Sequence, residues 1–366
     1  MKVAIVLGTR PEIIKMSPLI RELQKRNISH FILHTGQHYD YRMDKIFFEE
    51  LELTSRVIHL DIGSGLHGEM TGKMMIKIEQ TLLTEKPSLV FVQGDTNTVL
   101  AASLVAVKLH IPLAHVEAGL RSYDRRMPEE YNRIIADHIA DYLFTATPSS
   151  EKTLLGEGIP NEHILITGNT IVDALYQSFP LAKQKSTILE NLSLTSGKYF
   201  LVTFHRPENV DSKETLLNII KGLTNIAHHF KLPLIIPIHP RTKKRIDEFK
   251  LTQELSSIKN LKIIDPLGFL DLLMLESNAL LVLTDSGGIQ EECCVLKVPC
   301  IVMRKTTDRP ESIHIGAALL SGTDPKRILN CTQQLITTHR DWNNPYGDGN
   351  ASKLIVDFLQ SRLQKV

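Results

Sequence analysis

The sequence has few of the features that mark secreted or zinc-stabilised proteins. Its 366 residues include only four cysteines, Cys293, Cys294, Cys300 and Cys331, and no two of them have the C-x-x-C spacing. Neither a disulfide framework nor a structural zinc site is therefore indicated. We expect reduced thiols in the core of a cytoplasmic protein.

The sequence also lacks an excess of charge of one sign and any long apolar run. A formal net charge of +1 gives no reason to expect a nucleic acid or a membrane surface as partner. No window approaches the roughly 20 apolar residues of a membrane span. The first apolar run is interrupted at Gly8 and Arg10, too early for the apolar region of a signal peptide.

The sequence does contain short β-branched runs that alternate with amphipathic stretches, a pattern typical of parallel sheets covered by helices. A chain of this length favours two α/β domains over one core. We predict an N-terminal domain at 1–176 and a nucleotide-binding domain at 177–350, with a helix at 351–366 that packs back on the first. The predicted strands are VAIVLG, FILHTG, LVFVQGD, PLAHVEAG, YLFTATP, HILITGN, KYFLVTFH, PLIIPIHP, LKIIDPL, ALLVLTDSGG and PCIVMR.

Polar residues stand where several of these strands end, and open parallel sheets bind ligands beyond the carboxyl ends of their strands. After the first strand, Gly8 permits a tight turn and Pro11 suits the first position of a helix. Arg10 and Lys15 then either hold phosphate oxygens near the helix N-terminus or belong to a solvated helix start with a surface ion pair.

Three further strand or helix ends carry carboxylates. Asp95 is either a helix N-cap or a carboxylate that faces a ligand. Glu117 follows apolar residues, so burial would raise its pKa and suit it to proton transfer, although a lone glutamate here is more often structural. Glu129 follows Pro128 at a helix start and is spaced for an exposed pair with Arg133, which favours a structural role.

The segment 284–292 gives the strongest single indication of a ligand. Its glycines between a strand and a helix let backbone amides approach a pyrophosphate, and the helix dipole favours that charge. A carboxylate one turn into the helix suits the hydroxyls of a ribose. His205 and His239, each at a strand end, are either general acids or satisfied polar residues, and Arg309 would add positive charge to a diphosphate site.

A glycine-rich hexapeptide at 63–68 matches the dinucleotide fingerprint G-x-G-x-x-G. That fingerprint belongs in the first strand–helix turn, and no clear acidic strand end follows at the required distance. We interpret the hexapeptide as a glycine-rich loop and not as a nicotinamide site.

Taken together and in order, these segments resemble the non-hydrolysing UDP-N-acetylglucosamine 2-epimerases over nearly the whole chain. The resemblance implies two Rossmann-like domains in an architecture like that of GT-B-type glycosyltransferases, with a UDP-sugar substrate in the interdomain cleft. It also implies a homodimer that requires no metal or other cofactor. The matching segments are GTRPEIIKMSPLI, TGQHYD, QGDTNTVLAA, HVEAGLRS, PEEYNR, GNTIVDAL, TDSGGIQEE and TTDRPE.

Matched position by position, the resemblance implies a set of site residues. The catalytic positions are Asp95, Glu117, Glu129 and His205. The substrate-binding positions are Arg10, Lys15, Ser286, Gly287, Gly288, Glu292 and Arg309, to which we add His239.

The resemblance extends to two less specific segments. The segment with Leu267 and Leu272 matches the loop that holds uracil, where backbone groups serve whatever the side chains. Gln37 and His38 match part of a second site, at which some members bind UDP-GlcNAc as an activator. The histidine motif here reads HRPE, where many bacterial members have a second arginine in place of proline, and this departure weakens the case for activation.

The expected reaction is reversible inversion at C2 of UDP-GlcNAc, giving UDP-ManNAc, by elimination and re-addition of UDP through a 2-acetamidoglucal. The carboxylates would supply acid and base, with His205 assisting near the diphosphate. Cations and backbone amides would stabilise the leaving group. The alternatives are a 2-epimerase of a related UDP-diacetamido uronic acid, a hydrolysing 2-epimerase and, more remotely, a UDP-sugar glycosyltransferase or a UDP-sugar-binding regulator.

Overall fold

The computed structural model describes residues 1–36 and 47–363. The chain divides into two compact units, of which unit 1 comprises Met1–Gln177 and Tyr346–Val366 and unit 2 comprises Ser178–Pro345. Each unit contains one fully parallel sheet. No helix in the described part of the chain is long and apolar enough to cross a membrane.

Unit 1 contains a seven-stranded sheet of order β3-β2-β1-β4-β5-β6-β7. Its strands are β1 (Lys2–Leu7), β2 (Ser29–His34), β3 (Val57–His59), β4 (Leu89–Gln93), β5 (Leu113–Ala118), β6 (Tyr142–Thr145) and β7 (Ile164–Ile166). Its helices are α1 (Arg10–Lys25), α2 (His67–Glu85), α3 (Asn97–Lys108), α4 (Pro128–Ile139), α5 (Pro148–Gly156), α6 (Thr170–Lys185), which continues past the unit boundary, and α16 (Ala351–Leu363).

Unit 2 contains a six-stranded sheet of order β10-β9-β8-β11-β12-β13. Its strands are β8 (Phe200–Thr203), β9 (Leu234–Pro237), β10 (Leu261–Ile264), β11 (Leu281–Thr284), β12 (Cys300–Val302) and β13 (Ala318–Leu320). Its helices are α7 (Ile188–Asn191), α8 (Pro207–Val210), α9 (Lys213–Phe230), α10 (Pro240–Glu248), α11 (Thr252–Ser256), α12 (Phe269–Ser277), α13 (Gly287–Val295), α14 (Pro310–His314) and α15 (Pro325–Ile336).

Helices cover both faces of each sheet, so the central strands are apolar on both sides. On β8, Phe200 and Val202 join a cluster with side chains of α9 and α15. Leu201 joins a second cluster with side chains of α12 and α13. A slip of one residue would exchange these two faces, so burial fixes the strand register and with it the position of every strand end.

The order of the strands reverses once in each sheet. In unit 1 the reversal lies between β1 and β4, and in unit 2 it lies between β8 and β11. Ligands of open parallel sheets bind outside the carboxyl ends of strands at such switch points. The predicted site residues that follow these four strands therefore lie where the topology favours a ligand.

The last described helix, α16, returns to unit 1. Its first turn meets the buried carboxylate of Asp173, which accepts hydrogen bonds from the backbone of Ala351 at 3.2 Å and of Ser352 at 2.9 Å. Further along, Asp357 accepts a hydrogen bond of 2.6 Å from Arg26, the residue that ends α1. Unit 1 is therefore built from two separated stretches of the sequence.

The prediction of two α/β units with parallel sheets is confirmed, and each predicted strand is present. Two strands, β3 and β13, were not predicted. Each has three residues and lies at an edge of its sheet. Such short runs carry too little periodicity to distinguish them from loops, because an edge strand is fixed by pairing with its single neighbour.

Candidate active site

Glu117, the next-to-last residue of β5, has an unusual backbone. Its φ is +68°, and the register with β6 shifts between Val116 and Ala118. A bulge of this kind redirects a side chain, and a left-handed backbone at a residue other than glycine costs on the order of 1–3 kcal/mol. Strain of this size is typical of functional positions.

The Glu117 carboxylate is buried among hydrogen-bond donors. The Lys15 ammonium lies 2.8 and 2.7 Å from its two oxygens, and the Gln93 side-chain amide donates to Oε2. The side chains of Lys15 and Glu117 are 7% and 2% exposed. The alternative of a surface ion pair is therefore wrong for Lys15, because its partner is a buried carboxylate.

Asp95 follows β4 and is not the N-cap of the next helix. That position is Thr96, whose hydroxyl accepts a hydrogen bond of 3.4 Å from the backbone of Val99. The Asp95 carboxylate accepts from the guanidinium of Arg133, and its backbone carbonyl accepts from Asn132 at 2.9 Å. The N-cap interpretation is therefore wrong, and α4 holds Asp95 as a partly exposed carboxylate at the strand end.

The first turn of α4 begins at Pro128, as predicted. Glu129 lies in this turn and is partly exposed. Arg133 is buried and forms an ion pair of 3.2 Å with Glu130, in addition to its bond to Asp95. An exposed pair between Glu129 and Arg133 is therefore wrong, because Arg133 is directed into the protein. We refer to Lys15, Gln93, Asp95, Glu117 and Arg133 as the acid–base cluster.

Glu12 is a buried carboxyl group that sequence reasoning did not single out. It accepts hydrogen bonds from the backbone of Gly8 at 2.9 Å and of Thr9 at 2.7 Å, and from the Thr96 hydroxyl at 2.8 Å. Burial raises the pKa of Glu12 to about 7, against the opposing effect of these hydrogen bonds. Glu12 thus joins the turn that begins α1 at Arg10 to the turn after β4.

In unit 2, the buried carboxylate of Asp285 organises the turn after β8. It accepts hydrogen bonds of 3.0 Å from the backbone of His205, the backbone of Arg206 and the side chain of Asn209. The His205 Nδ1 atom lies 3.6 Å from Asp285 Oδ1. Burial lowers the pKa of His205, against the raising effect of Asp285. The imidazole is therefore mostly neutral near pH 7 and able to exchange a proton.

His239 has a structural contact of its own. It is the N-cap of α10, and its Nδ1 accepts a hydrogen bond of 3.2 Å from the backbone of Arg241. Its ring stacks on that of His205, with the centroids 5.0 Å apart. The contact with Arg241 favours the structural alternative for His239, while the stacking places it directly beside a predicted catalytic residue.

The predicted diphosphate loop joins β11 to α13. Ser286 is the N-cap, whose hydroxyl accepts a hydrogen bond of 3.5 Å from the backbone of Ile289, and Gly287 and Gly288 are the first two helical residues. First-turn amides of a helix have no carbonyl partner within it, and the helix dipole favours an anion there. The local geometry therefore agrees with a diphosphate site at 286–288.

Glu292, one turn into α13, faces a second carboxyl group. Glu276 of α12 is fully buried, and no donor in the described part of the chain reaches its oxygens. Burial, followed by the charge and the hydrogen-bonding carboxyl of Glu292, raises the pKa of Glu276 well above its ordinary value. The raised pKa favours the protonated form of Glu276, which can offer a hydrogen to the neighbouring Glu292 carboxylate. Sequence reasoning missed Glu276, because nothing in LLMLES marks a buried carboxyl group.

Arg309 is tied to the same helix. Its guanidinium lies 2.7 Å from Glu291 and 2.9 Å from Asp308. The buried side chain of Gln290 donates to the Arg309 carbonyl at 2.9 Å and accepts from the Thr307 hydroxyl at 2.7 Å. The structure thus brings Arg309 to the helix that begins with the diphosphate loop, and Gln290 is a supporting residue that was not predicted.

Two other predicted segments have different outcomes. Leu267 precedes α12, whereas Leu272 lies within this helix and its amide donates to the Gly268 carbonyl at 3.1 Å. The prediction that backbone groups of one loop serve at both positions is therefore wrong for Leu272, because the helix uses its amide. Gln37 and His38 lie outside the described residues.

Two parallel α/β units, each with polar side chains beyond the strands at its switch point, define the class of two-domain Rossmann-like proteins. Within residues 1–36 and 47–363, no three metal-ligating side chains are grouped. The family model described as UDP-N-acetylglucosamine 2-epimerase matches residues 21–360. The chain belongs to this family.

Individual relatives are similar over their full length. The UDP-N-acetylglucosamine 2-epimerase of Methanocaldococcus jannaschii is 53% identical over 98% of this chain and 99% of its own. Its crystal structure in complex with UDP-GlcNAc and UDP covers 99% of this chain and 100% of its own, with a TM-score of 0.94. The UDP-2,3-diacetamido-2,3-dideoxy-D-glucuronate 2-epimerase of Pseudomonas aeruginosa is 39% identical over 98% of this chain and 99% of its own. The predicted family and fold class are confirmed.

Proposed function

We propose that this chain is an enzyme that interconverts UDP-GlcNAc and UDP-ManNAc without hydrolysis. The observation that carries the proposal is the acid–base cluster, in which Asp95 lies just after β4 and Glu117 lies near the end of the neighbouring strand β5, and each carboxylate has a buried cation as partner. The higher identity to the UDP-GlcNAc 2-epimerase, 53% against 39%, supports UDP-GlcNAc over a diacetamido uronic acid.

The reaction runs by elimination and re-addition of UDP. A base takes the C2 proton, the C1–O bond breaks with its electron pair going to the diphosphate, and a 2-acetamidoglucal remains. The diphosphate oxygen then forms a new bond to C1 while an acid protonates the opposite face of C2. Two proton-transfer groups on opposite faces of the sugar are therefore required.

We assign the proton transfers to Asp95, Glu117 and Glu129. Lys15 and Arg133 balance the charges of Glu117 and Asp95, which supports a role for two carboxylates near the carboxyl ends of the neighbouring strands β4 and β5. Glu129, which is partly exposed in the first turn of α4, is assigned to the second face. Lys15 acts mainly by holding the Glu117 carboxylate in place and balancing its charge.

We assign the nucleotide to unit 2. The amides of the diphosphate loop and Arg309 stabilise the charge that develops on the departing UDP. Glu292 accepts hydrogen bonds from the ribose hydroxyls. The segment that contains Leu267 holds the uracil. His205, with His239 stacked on it, exchanges a proton near the diphosphate. No metal or organic cofactor is needed for these steps.

The first experiment is incubation of the purified enzyme with UDP-GlcNAc in D2O, followed by proton NMR of the sugar. We expect UDP-ManNAc with deuterium at C2 and little free sugar, since the C2 proton exchanges with solvent during elimination and re-addition. Stoichiometric release of UDP and free N-acetylmannosamine would instead show a hydrolysing enzyme. No reaction with UDP-GlcNAc, but turnover of a UDP-diacetamido uronic acid, would contradict the proposed substrate.

We also propose a homodimer. Several apolar side chains are exposed on helices that cover one face of the unit 1 sheet, among them Ile76 and Leu83 on α2 and Tyr131 and Ile135 on α4. A contact with a second copy would bury them. Light scattering is expected to give a dimer for the wild type and a monomer for Ile76→Glu/Leu83→Glu. The matched control is Ile166→Glu, at an exposed apolar residue of β7.

We place the enzyme in the cytoplasm. All four cysteines are free, and three of them are buried, which suits a reducing compartment. Cell fractionation with an antibody to the chain tests this placement, and recovery outside the cytoplasm would contradict it.

A further inference from the structure

His115 is a buried histidine of β5 that the proposed mechanism does not use. Its Nδ1 lies 2.7 Å from the Asp137 carboxylate of α4, and its Nε2 lies 2.8 Å from the Gly94 carbonyl. The side chains of His115 and Asp137 have no exposure to solvent. Each ring nitrogen therefore has a protein acceptor and no access to water.

The two partners determine how many protons the ring carries. A carbonyl oxygen only accepts, and so does an ionised carboxylate, so both ring nitrogens must carry a hydrogen. On its other oxygen Asp137 accepts from the Gly119 amide at 3.2 Å and from the charged Arg121 at 2.7 Å, and both contacts favour the ionised carboxylate. The geometry therefore requires an imidazolium at His115.

The charges around His115 agree with this requirement. Burial by itself lowers the pKa of His115, but Asp137, the Gly94 carbonyl and Glu117 together raise it above the ordinary value. Burial likewise raises the pKa of Asp137, and the charges and hydrogen bonds of His115 and Arg121 outweigh it and leave that pKa lowered. Beyond Asp137, Arg121 is paired with Glu157 at 2.7 Å.

The contact with Gly94 connects His115 to the acid–base cluster. Gly94 has a φ of +78° and immediately precedes Asp95. Its amide donates to the Val116 carbonyl at 3.1 Å, so both the amide and the carbonyl of Gly94 are held by β5. His115 thus fixes one side of the turn from which Asp95 projects, while α4 holds the other side.

We propose that His115 is a positioning residue of the epimerase, a permanent imidazolium that fixes the turn carrying Asp95 and adds positive charge beside Glu117. The proposal rests on the proposed function for its effect on turnover, but not for the protonation state of the ring. A histidine that stays protonated on both ring nitrogens is unusual. It donates two hydrogen bonds from opposite sides of a planar ring and keeps its positive charge as an arginine does.

The protonation state is tested on the wild-type enzyme by NMR after selective labelling of histidine with ¹⁵N. The His115 signals are assigned by their absence from His115→Gln. We expect both ring nitrogens to be protonated and unchanged from pH 6 to pH 8.5. One unprotonated ring nitrogen at pH 7 would overturn the proposal. The measurement does not depend on catalytic activity. If His115→Gln does not fold, the signals of the other histidines are assigned from their own variants, and those of His115 are identified by elimination.

The positioning role is tested by kinetics and hydrogen exchange of His115→Gln, which keeps one donor but cannot reach both acceptors. We expect kcat to fall about tenfold to a hundredfold with KM for UDP-GlcNAc nearly unchanged, because a displaced Asp95 impairs proton transfer more than binding. The Gly94 amide should exchange at least about tenfold faster, since an opening free energy lower by about 1.4 kcal/mol has this effect. The control is His163→Gln, at a partly exposed histidine that also contacts a carbonyl.

The outcomes separate the two proposals. If the wild type has no epimerase activity, the proposed function fails, while ring protonation and Gly94 exchange still decide the role of His115. If the wild type is active and folded His115→Gln retains its kcat, or its Gly94 amide exchanges at the wild-type rate, the positioning role is wrong. An equal loss for His163→Gln would also contradict it.

Discussion

The carboxyl groups of the two units are buried in different ways. In the acid–base cluster of unit 1, Glu117 faces the buried ammonium of Lys15. In unit 2, Glu276 faces the carboxyl group of Glu292. A cation lets a buried carboxylate remain charged, whereas a second carboxylate forces a proton onto one member of the pair.

Under the proposed function, the difference corresponds to two kinds of chemistry. Removal of a C2 proton requires a charged base, and unit 1 supplies buried charge that is already balanced. Recognition of neutral hydroxyl groups requires oriented donors and acceptors, and a carboxyl–carboxylate pair presents both without net repulsion. The kind of partner opposite a buried carboxyl group is therefore informative about its task in each unit.

The largest expected effect is on turnover. Glu117→Gln removes the charge but keeps the shape, so kcat should fall by about 10²–10⁴-fold, the usual contribution of a general base. The rate is measured by NMR of UDP-ManNAc formation, and circular dichroism checks that the variant is folded. Glu162→Gln, at an exposed residue of the same unit, should be fully active. Near wild-type turnover in folded Glu117→Gln would remove this residue from the mechanism.

Next in size is the stability of the buried ion pair. Lys15→Met leaves the Glu117 carboxylate buried without its cation, and the free energy of unfolding should fall by about 3–5 kcal/mol. In Lys15→Met/Glu117→Leu both charges are gone, so more than half of this loss should be regained. Urea unfolding measures the free energy of unfolding of the single and the double variant. If the double variant is no more stable than Lys15→Met, the stability lost in Lys15→Met does not come from the unpaired charge of Glu117.

Glu12 sharpens the comparison, because it is a buried carboxyl group of unit 1 whose partners are neutral N–H and O–H groups. Its folded pKa of about 7 exceeds the ordinary value of 4.5, so the native state retains this proton longer. Stability should therefore fall as the pH rises from about 4.5 to 7, by roughly 3 kcal/mol at about 1.4 kcal/mol per pKa unit.

The measurement for Glu12 is urea unfolding of the wild type and Glu12→Gln at pH 5 and pH 7.5. The variant cannot ionise, so the difference between the two proteins isolates this group. Parallel stability curves would show that Glu12 does not hold its proton in the native state.

The smallest expected effect concerns the pair in unit 2. Glu276→Gln keeps a donor to Glu292, so UDP affinity at pH 7 should change less than about threefold. Glu276→Ala removes the donor, and loss of about 1 kcal/mol should weaken binding about fivefold. Calorimetry at pH 7 measures both affinities. Equal affinities for both variants would mean that Glu276 does not position Glu292.

Central strands and strand-end residues could be predicted from the sequence, because continuous burial makes them apolar and polar residues then mark where they end. The partners of those residues could not. Arg133 has the spacing of a surface pair with Glu129, yet it is buried against Asp95, which is distant in sequence. Pairing across elements depends on tertiary packing, which periodicity does not encode.

Chemical environment was also beyond sequence reasoning. Nothing in a single sequence distinguishes the buried Glu12 and Glu276 from solvated glutamates in helices, because each lies in an ordinary amphipathic pattern. The left-handed backbone of Glu117 was equally invisible, since a β-branched run predicts a strand but not the bulge at its end. Resemblance to a family located the residues, and only the structure shows what surrounds them.

The return of α16 to unit 1 has a consequence for synthesis of the chain on the ribosome. Unit 1 needs the backbone of Ala351 and Ser352 to satisfy the buried Asp173, but the whole of unit 2 is translated between them. Unit 2 is continuous in sequence and has all its strands before unit 1 is complete. The nascent unit 1 therefore exposes the face of α1 that α16 covers until all of unit 2 has been synthesised, which lengthens the time for which an apolar surface is open to aggregation.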